Sequence, residues 1–250
     1  MLDYNSFAEK CVEELKVLQA KLHEQYNLNG YENWFYDQAT GLLTFLSENR
    51  ELNFKYFQAG SFSLNSNTWK WSWDNENTLY NVKDKIEFVR DFGKQSNFGK
   101  LTTGIFESDE IEAWEFSAIA AKLGDGIGVY RPVVDNQLQL FLVLTEFVNT
   151  ETAQEIKDKY VSCDVHGSER IAFVCKHLNK ENKVGFEEAF DTHENMGLEE
   201  DDDFQAWCDE CETVRLEEDG WNDASMASAQ IKLVCEKCYF DIKEVNLGYR

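Results

Sequence analysis

Eight side chains able to bind a soft or borderline metal ion lie beyond residue 162 of a 250-residue chain, in four pairs. They are Cys163-x-x-His166, Cys175-x-His177, Cys208-x-x-Cys211 and Cys235-x-x-Cys238. A C-x-x-C lets two thiolates converge on one ion from a tight turn, and two such pairs complete a tetrahedral site. Cys208, Cys211, Cys235 and Cys238 have the spacing C-x2-C-x23-C-x2-C, so a four-cysteine zinc site is the first expectation. Cys163, His166, Cys175 and His177 are the donors left for a second zinc. Cys175 and His177 stand at i and i+2, where a strand would place them on one side. Residue types alone also allow the eight to pair in crossed order. Four thiolates, or two thiolates with two imidazoles, leave no position open for water or substrate, so structural metal is expected. Cys11 stands apart on an apolar stripe and reads as a buried small hydrophobe. His193 falls in an acidic stretch and reads as solvated.

These donors must be held by a small region. Residues 150–162 read as a short polar helical connector, leaving 163–250 as a zinc-ribbon-like domain with little core of its own, which metal would fold. Residues 1–149 read as a separate α+β domain: a mostly antiparallel sheet with helices on one face. Tyr4, Phe7, Ala8, Cys11, Leu15, Leu18, Leu22 and Tyr26 recur at helical spacing, with Asp3 or a Ser6/Glu9 box as cap. Strands are expected on both sides of Asp37–Gly41, over 52–63 and over 68–74. Trp69, Trp71 and Trp73 alternate with Lys70 and Ser72, which predicts all three indoles on one face, either core or a flat aromatic platform. One helix is expected from a Thr78 cap through Phe92. Another runs from a Ser108 cap to a stop at Gly124. Two strands follow over 127–146, around Asp135-Asn136. Gly124-Asp125-Gly126-Ile127-Gly128 leaves a helix and enters a strand, the wrong context for a phosphate loop.

Charge excludes more than it identifies. There are 47 acidic and 24 basic residues, a net of −23, and 16 acidic residues against Arg215 alone within 187–223. Such a surface repels nucleic acid and anionic lipid and attracts basic proteins. The apolar runs are too short to span a bilayer, and Met1 leads into a polar stretch, so a cytoplasmic protein is expected. The sequence shows no Ser/His/Asp order and no isolated Cys with a free His.

Two resemblances add to this. Trp34-Phe35-Tyr36-Asp37, Gly41-Leu42-Leu43-Thr44-Phe45, Thr68-Trp69-Lys70-Trp71-Ser72-Trp73-Asp74-Asn75, Ala113-Trp114-Glu115-Phe116-Ser117-Ala118-Ile119-Ala120 and Val129-Tyr130-Arg131-Pro132 together resemble a bacterial family of unknown function. The family carries a WxWAWxN-type strand, and Ser72 and Asp74 depart from it. The likeness covers roughly residues 4–146. It implies a toxin–immunity setting, hence a binding protein more than an enzyme. Cys163-x-x-His166-Gly167, Cys175-x-His177-Leu178, Ala206-Trp207-Cys208-x-x-Cys211, Gly220-Trp221 and Val234-Cys235-x-x-Cys238-Tyr239 resemble a small bacterial zinc-binding module. The expected function is an immunity-type protein that neutralises a cognate basic toxin by direct complex formation. The alternatives are a zinc-ribbon nucleic-acid binder, which would need a basic face, and an enzyme.

Overall fold

The computed structural model describes residues 3–76, 78–134, 137–198 and 202–248, with backbone alone at Tyr80 and Asn81. The chain divides into two compact units, Met1–Gln154 and Glu155–Arg250.

In the first unit helix α1 (Tyr4–Tyr26) leads into strands β1 (Asn33–Asp37), β2 (Leu42–Ser47), β3 (Arg50–Ser63) and β4 (Thr68–Trp71). Helices α2 (Tyr80–Asp84), α3 (Glu87–Ser96) and α4 (Gly99–Thr102) follow, then β5 (Ile105–Glu107) and α5 (Glu110–Leu123). The unit closes with β6 (Gly128–Tyr130), β7 (Val133–Val134) and β8 (Leu138–Val148), and α6 (Thr150–Asp158) runs on into the second unit. Among the described residues the eight strands form one antiparallel sheet, with β8 beside β3. This is the expected α+β arrangement.

Alternation along β8 builds two cores. Phe141 and Val143 face a cluster with α1, α3, α4 and α5, while Leu140, Leu142 and Leu144 face a second one with Leu43, Phe45 and Phe54. A bulge between Gln58 and Gly60 inserts Ala59, which brings Phe57, Ala59 and Phe62 all to the helical side. At Gly60 a side chain would run into the Trp69 ring and the Lys70 carbonyl, so only glycine allows the indole to lie flat against β3.

Several local expectations change. Strand β4 ends at Trp71, and Ser72–Asp74 turns into a 3-10 helix that buries Ser72; Trp73, though outside the strand, packs partly buried against the same core cluster as Trp69 and Trp71. Trp69 and Trp71 are fully buried, which removes the aromatic platform. The helix expected from Thr78 to Phe92 is two helices that break at Lys85–Ile86, and Val82, Ile86 and Val89 stay buried across the break. Asp3 caps α1 by accepting from Ser6 N at 2.9 Å. Asp109 rather than Ser108 caps α5, accepting from Glu112 N at 2.8 Å, and the helix stops at Gly124 as expected. The first strand after α5 is split in two by Arg131-Pro132. The Asp135-Asn136 turn lies outside the described residues.

The second unit contains β9 (Tyr160–Cys163), β10 (Gly167–Val174), β11 (Glu187–Glu188), β12 (Phe204–Trp207), α7 (Asp209–Glu217), α8 (Asp223–Ala229), β13 (Lys232–Cys235) and α9 (Glu236–Leu247). Residues 160–162 are therefore strand, not connector helix: Tyr160 and Val161 suit a pleated surface and pair with Arg170 and Glu169. Strand β10 is central. It pairs antiparallel with β9 and β13 and parallel with β12, whose outer neighbour is β11.

A buried polar network fixes the loop after β11. Lys243 Nζ donates to Glu188 Oε1 and Oε2 at 2.7 and 2.9 Å and to the Thr192 carbonyl at 2.7 Å. Tyr239 Oη and Thr192 Oγ1 donate to Glu188 Oε2. Burial alone would raise the Glu188 carboxyl, but these hydrogen bonds outweigh it and hold it below the ordinary range. Lys243→Ala strands a largely buried carboxylate and should destabilise the second unit by about 3–5 kcal/mol, whereas Lys243→Met with Glu188→Leu should recover most of the loss. Because the folded carboxyl is depressed, its contribution is present above the unfolded Glu value of about 4.3 and lost as pH falls through the lower folded value. Urea unfolding across that range, with wild type and variants, measures both effects.

Candidate metal centres

The eight donors come together in two groups of four. The first is Cys163, His166, Cys235 and Cys238, and the second is Cys175, His177, Cys208 and Cys211. This is the crossed pairing, and it overturns the four-cysteine site expected from Cys208, Cys211, Cys235 and Cys238.

Sheet topology is the reason. Strand β12 runs parallel to β10, with Ala206 opposite Val174, so Cys208 arrives at the end of β10 where Cys175 and His177 follow. Strand β13 runs antiparallel, with Cys235 opposite Ile171, so its cysteines head toward the start of β10. There the β9–β10 hairpin presents Cys163 and His166. The two C-x-x-C pairs thus point toward opposite ends of one strand and cannot share an ion.

Each C-x-x-C is built the same way: a strand ends, its last or next cysteine caps a helix, and the second cysteine lies in the first turn. Cys208 is the N-cap of α7 and Cys235 that of α9. Cys238 N donates to Cys235 Sγ at 3.4 Å. Thiolates at a helix N-terminus gain from its positive end.

Distances within the groups match an ion-centred tetrahedron. Ligand bonds of zinc length require roughly 3.8 Å between sulfurs and roughly 3.5 Å between sulfur and nitrogen. In the first group His166 Nδ1 lies 3.3, 3.5 and 3.7 Å from Cys235, Cys238 and Cys163 Sγ, and Cys163 and Cys238 are 3.9 Å apart. In the second, His177 Nδ1 lies 3.3 Å from Cys211 Sγ and 3.5 Å from Cys208 Sγ. Each group offers three sulfurs and one imidazole nitrogen, which are donors for a soft or borderline divalent ion.

Burial pushes the Cys235 thiol up to about 12 and raises Cys208 and Cys211 as well. Backbone hydrogen bonds from Val165 and His166 lower Cys163. Metal binding must therefore expel protons from buried thiols, and affinity falls as pH falls.

Sequence reasoning missed the charged residues around the first group, Asp241 and Lys180. Asp241 stands three residues after Cys238 on a helix, a spacing that shares a face and was readable; Lys180 carries no such signal. His193 is exposed, as expected. Cys11 is buried between α1 and α5, and burial pushes its thiol up to about 11, which makes it a poor nucleophile. Glu199, Glu200 and Asp201 of the acidic run lie outside the described residues, and Asp202 is exposed. No helix among the described residues is long and apolar enough to cross a membrane.

No curated protein and no solved structure matches the chain. A family described as of unknown function, DUF6882, matches residues 5–147, whereas both metal-ligand groups lie beyond that match. With more than half of its length inside the match, the chain belongs to this family of unknown function.

Proposed function

We propose that the protein is an acidic, two-zinc binding protein of the immunity type, which neutralises a cognate basic toxin by direct complex formation. The observation that carries the binding reading is the net charge of −23, with its densest excess in the metal-bearing unit. Complementary charge speeds encounter and selects partners. Zinc fits the sulfur-rich donor sets, and four protein donors per ion leave no open position, which suits a structural role. The toxin setting rests on the resemblance of residues 4–146. A nucleic-acid-binding ribbon would need a basic face, which this chain lacks.

The helical hairpin of α7 and α8 is the docking surface that best suits such a partner. Leu216, Trp221 and Met226 are exposed there by 65%, 38% and 45%. Asp209, Glu210, Glu217, Glu218, Asp219 and Asp223 around them are exposed carboxylates, while Glu212 is held by Arg215. Trp221 packs edge-on against Trp207 at 5.1 Å, a rigid aromatic anchor. Affinity purification from native lysate at low salt should recover a basic protein that high salt releases. Trp221→Ala should weaken that complex by about 2 kcal/mol or more. Glu217→Gln with Glu218→Gln should slow association at low salt and matter less at high salt. A turnover product without a stable partner would favour the enzyme instead.

A further inference from the structure

The two metal groups have unlike surroundings. In the Cys175 group all three cysteines are at most 1% exposed and belong to the apolar core of their unit. In the Cys163 group Cys163 and Cys238 are only half-buried, and charged side chains stand behind the ligands. His166 turns Nδ1 to the three sulfurs, and its other nitrogen, Nε2, lies 3.6 Å from Asp241 Oδ2. Lys180 Nζ donates to the same Oδ2 at 2.5 Å. Lys180 is placed by a pinned segment: the Leu178 carbonyl accepts from Lys232 Nζ at 2.7 Å, and the Asn179 carbonyl from Asn246 Nδ2 at 3.3 Å.

We propose that Asp241 and Lys180 are positioning residues for the Cys163 group: Asp241 aims His166 Nδ1 at the metal, and Lys180 holds Asp241 in place. The proposal rests on the reading of both groups as zinc sites. A carboxylate that accepts from Nε2–H fixes the tautomer whose free lone pair is on Nδ1, and makes that nitrogen a stronger donor. The 3.6 Å separation is a few tenths of an ångström beyond a hydrogen bond. Metal on Nδ1 makes Nε2–H more acidic and favours closing that gap. Three thiolates and an imidazole leave a divalent ion with an excess negative charge, and Asp241 adds another. The Lys180 ammonium offsets it. Through this pair the more exposed group keeps a tight hold on its ion, while the Cys175 group relies on burial.

The test challenges zinc-loaded full-length protein with graded chelator and counts zinc released. Wild type should lose its two ions in separate steps. Asp241→Asn should weaken one ion by about 10–100-fold and leave the other unchanged. Asp241→Glu should recover part of that loss. Lys180→Met should weaken the same ion less, and the double variant should lose less than the sum of the two single losses, because Lys180 acts partly through Asp241 and partly on the Cys238 sulfur beside it. Cobalt(II)-loaded Asp241→Asn should show an altered ligand-field spectrum for one of two ions, which a purely structural role would not produce. The proposal is overturned if Asp241→Asn keeps both affinities and the cobalt spectrum, or loses both ions together. A wild type that binds no zinc overturns the zinc reading itself, and is recognised before any variant is made.

Discussion

Stripped of metal by a strong chelator at neutral pH, the protein is expected to lose the fold of residues 155–250 and keep that of residues 1–154. Structural zinc contributes on the order of 10–16 kcal/mol of binding energy per site, more than the whole net stability of an ordinary domain. In the second unit the ligands are also the joints. Cys163 and His166 close the β9–β10 hairpin onto the first turn of α9, and Cys175 and His177 close the end of β10 onto that of α7. Without ions, three thiols and an imidazole in each group face one another with only weak hydrogen bonds between them. Cys211→Ser should act the same way, because a hydroxyl replaces a soft thiolate, and zinc content should drop by at least one ion. Two-dimensional NMR of the full chain reads both units at once: resonances of the second should collapse and those of the first should stay. A chelated protein with both sets of resonances in place would show that the donors hold no structural metal.

The second large effect belongs to the other unit. Trp71→Ala is expected to cost about 3–5 kcal/mol and lower the first unit's melting point by on the order of 10 °C. Trp71 is fully buried, meets Trp69 edge-on at 5.1 Å and Phe116 at 5.7 Å, and its Nε1 donates to the Lys100 carbonyl at 2.9 Å. The substitution opens a cavity and orphans that carbonyl. Trp71→Phe should cost less, since it restores most of the ring contact. Zinc content should be untouched by either. Calorimetry of the full chain separates the two transitions, and an unshifted first transition would mean that the indole is not part of the core.

The sequence made the donors readable and their partners unreadable. Soft ligands in tight pairs are visible in one dimension. Which pair meets which depends on β10 lying between a parallel β12 and an antiparallel β13, and chain spacing does not encode that order. The α+β class and the apolar stripe of α1 followed from periodicity, because burial imposes a regular spacing. The strand expected over 68–74 was drawn too long because strict alternation was extended past Trp71, where the chain turns into Ser72–Asp74, although Trp73 still packs against the core of Trp69 and Trp71. The capping residue of α5 was one position off, since Ser108 and Asp109 both suit the role and only the hydrogen bond from Glu112 N decides it. Lys180 reaches Asp241 across the fold from a loop without periodicity, so nothing local announced it.

The central claim is that the eight donors form two sets of three sulfurs and one nitrogen. An average count of sulfur per ion cannot test it, because a four-sulfur site beside a two-sulfur, two-nitrogen site gives the same mean. Cadmium-113 NMR of the cadmium-substituted protein does test it, since each ion reports its own thiolate count through its chemical shift. The account expects two resonances of equal intensity, both in the range of three-thiolate, one-imidazole sites. One resonance in the four-thiolate range and one in the two-thiolate range would contradict it.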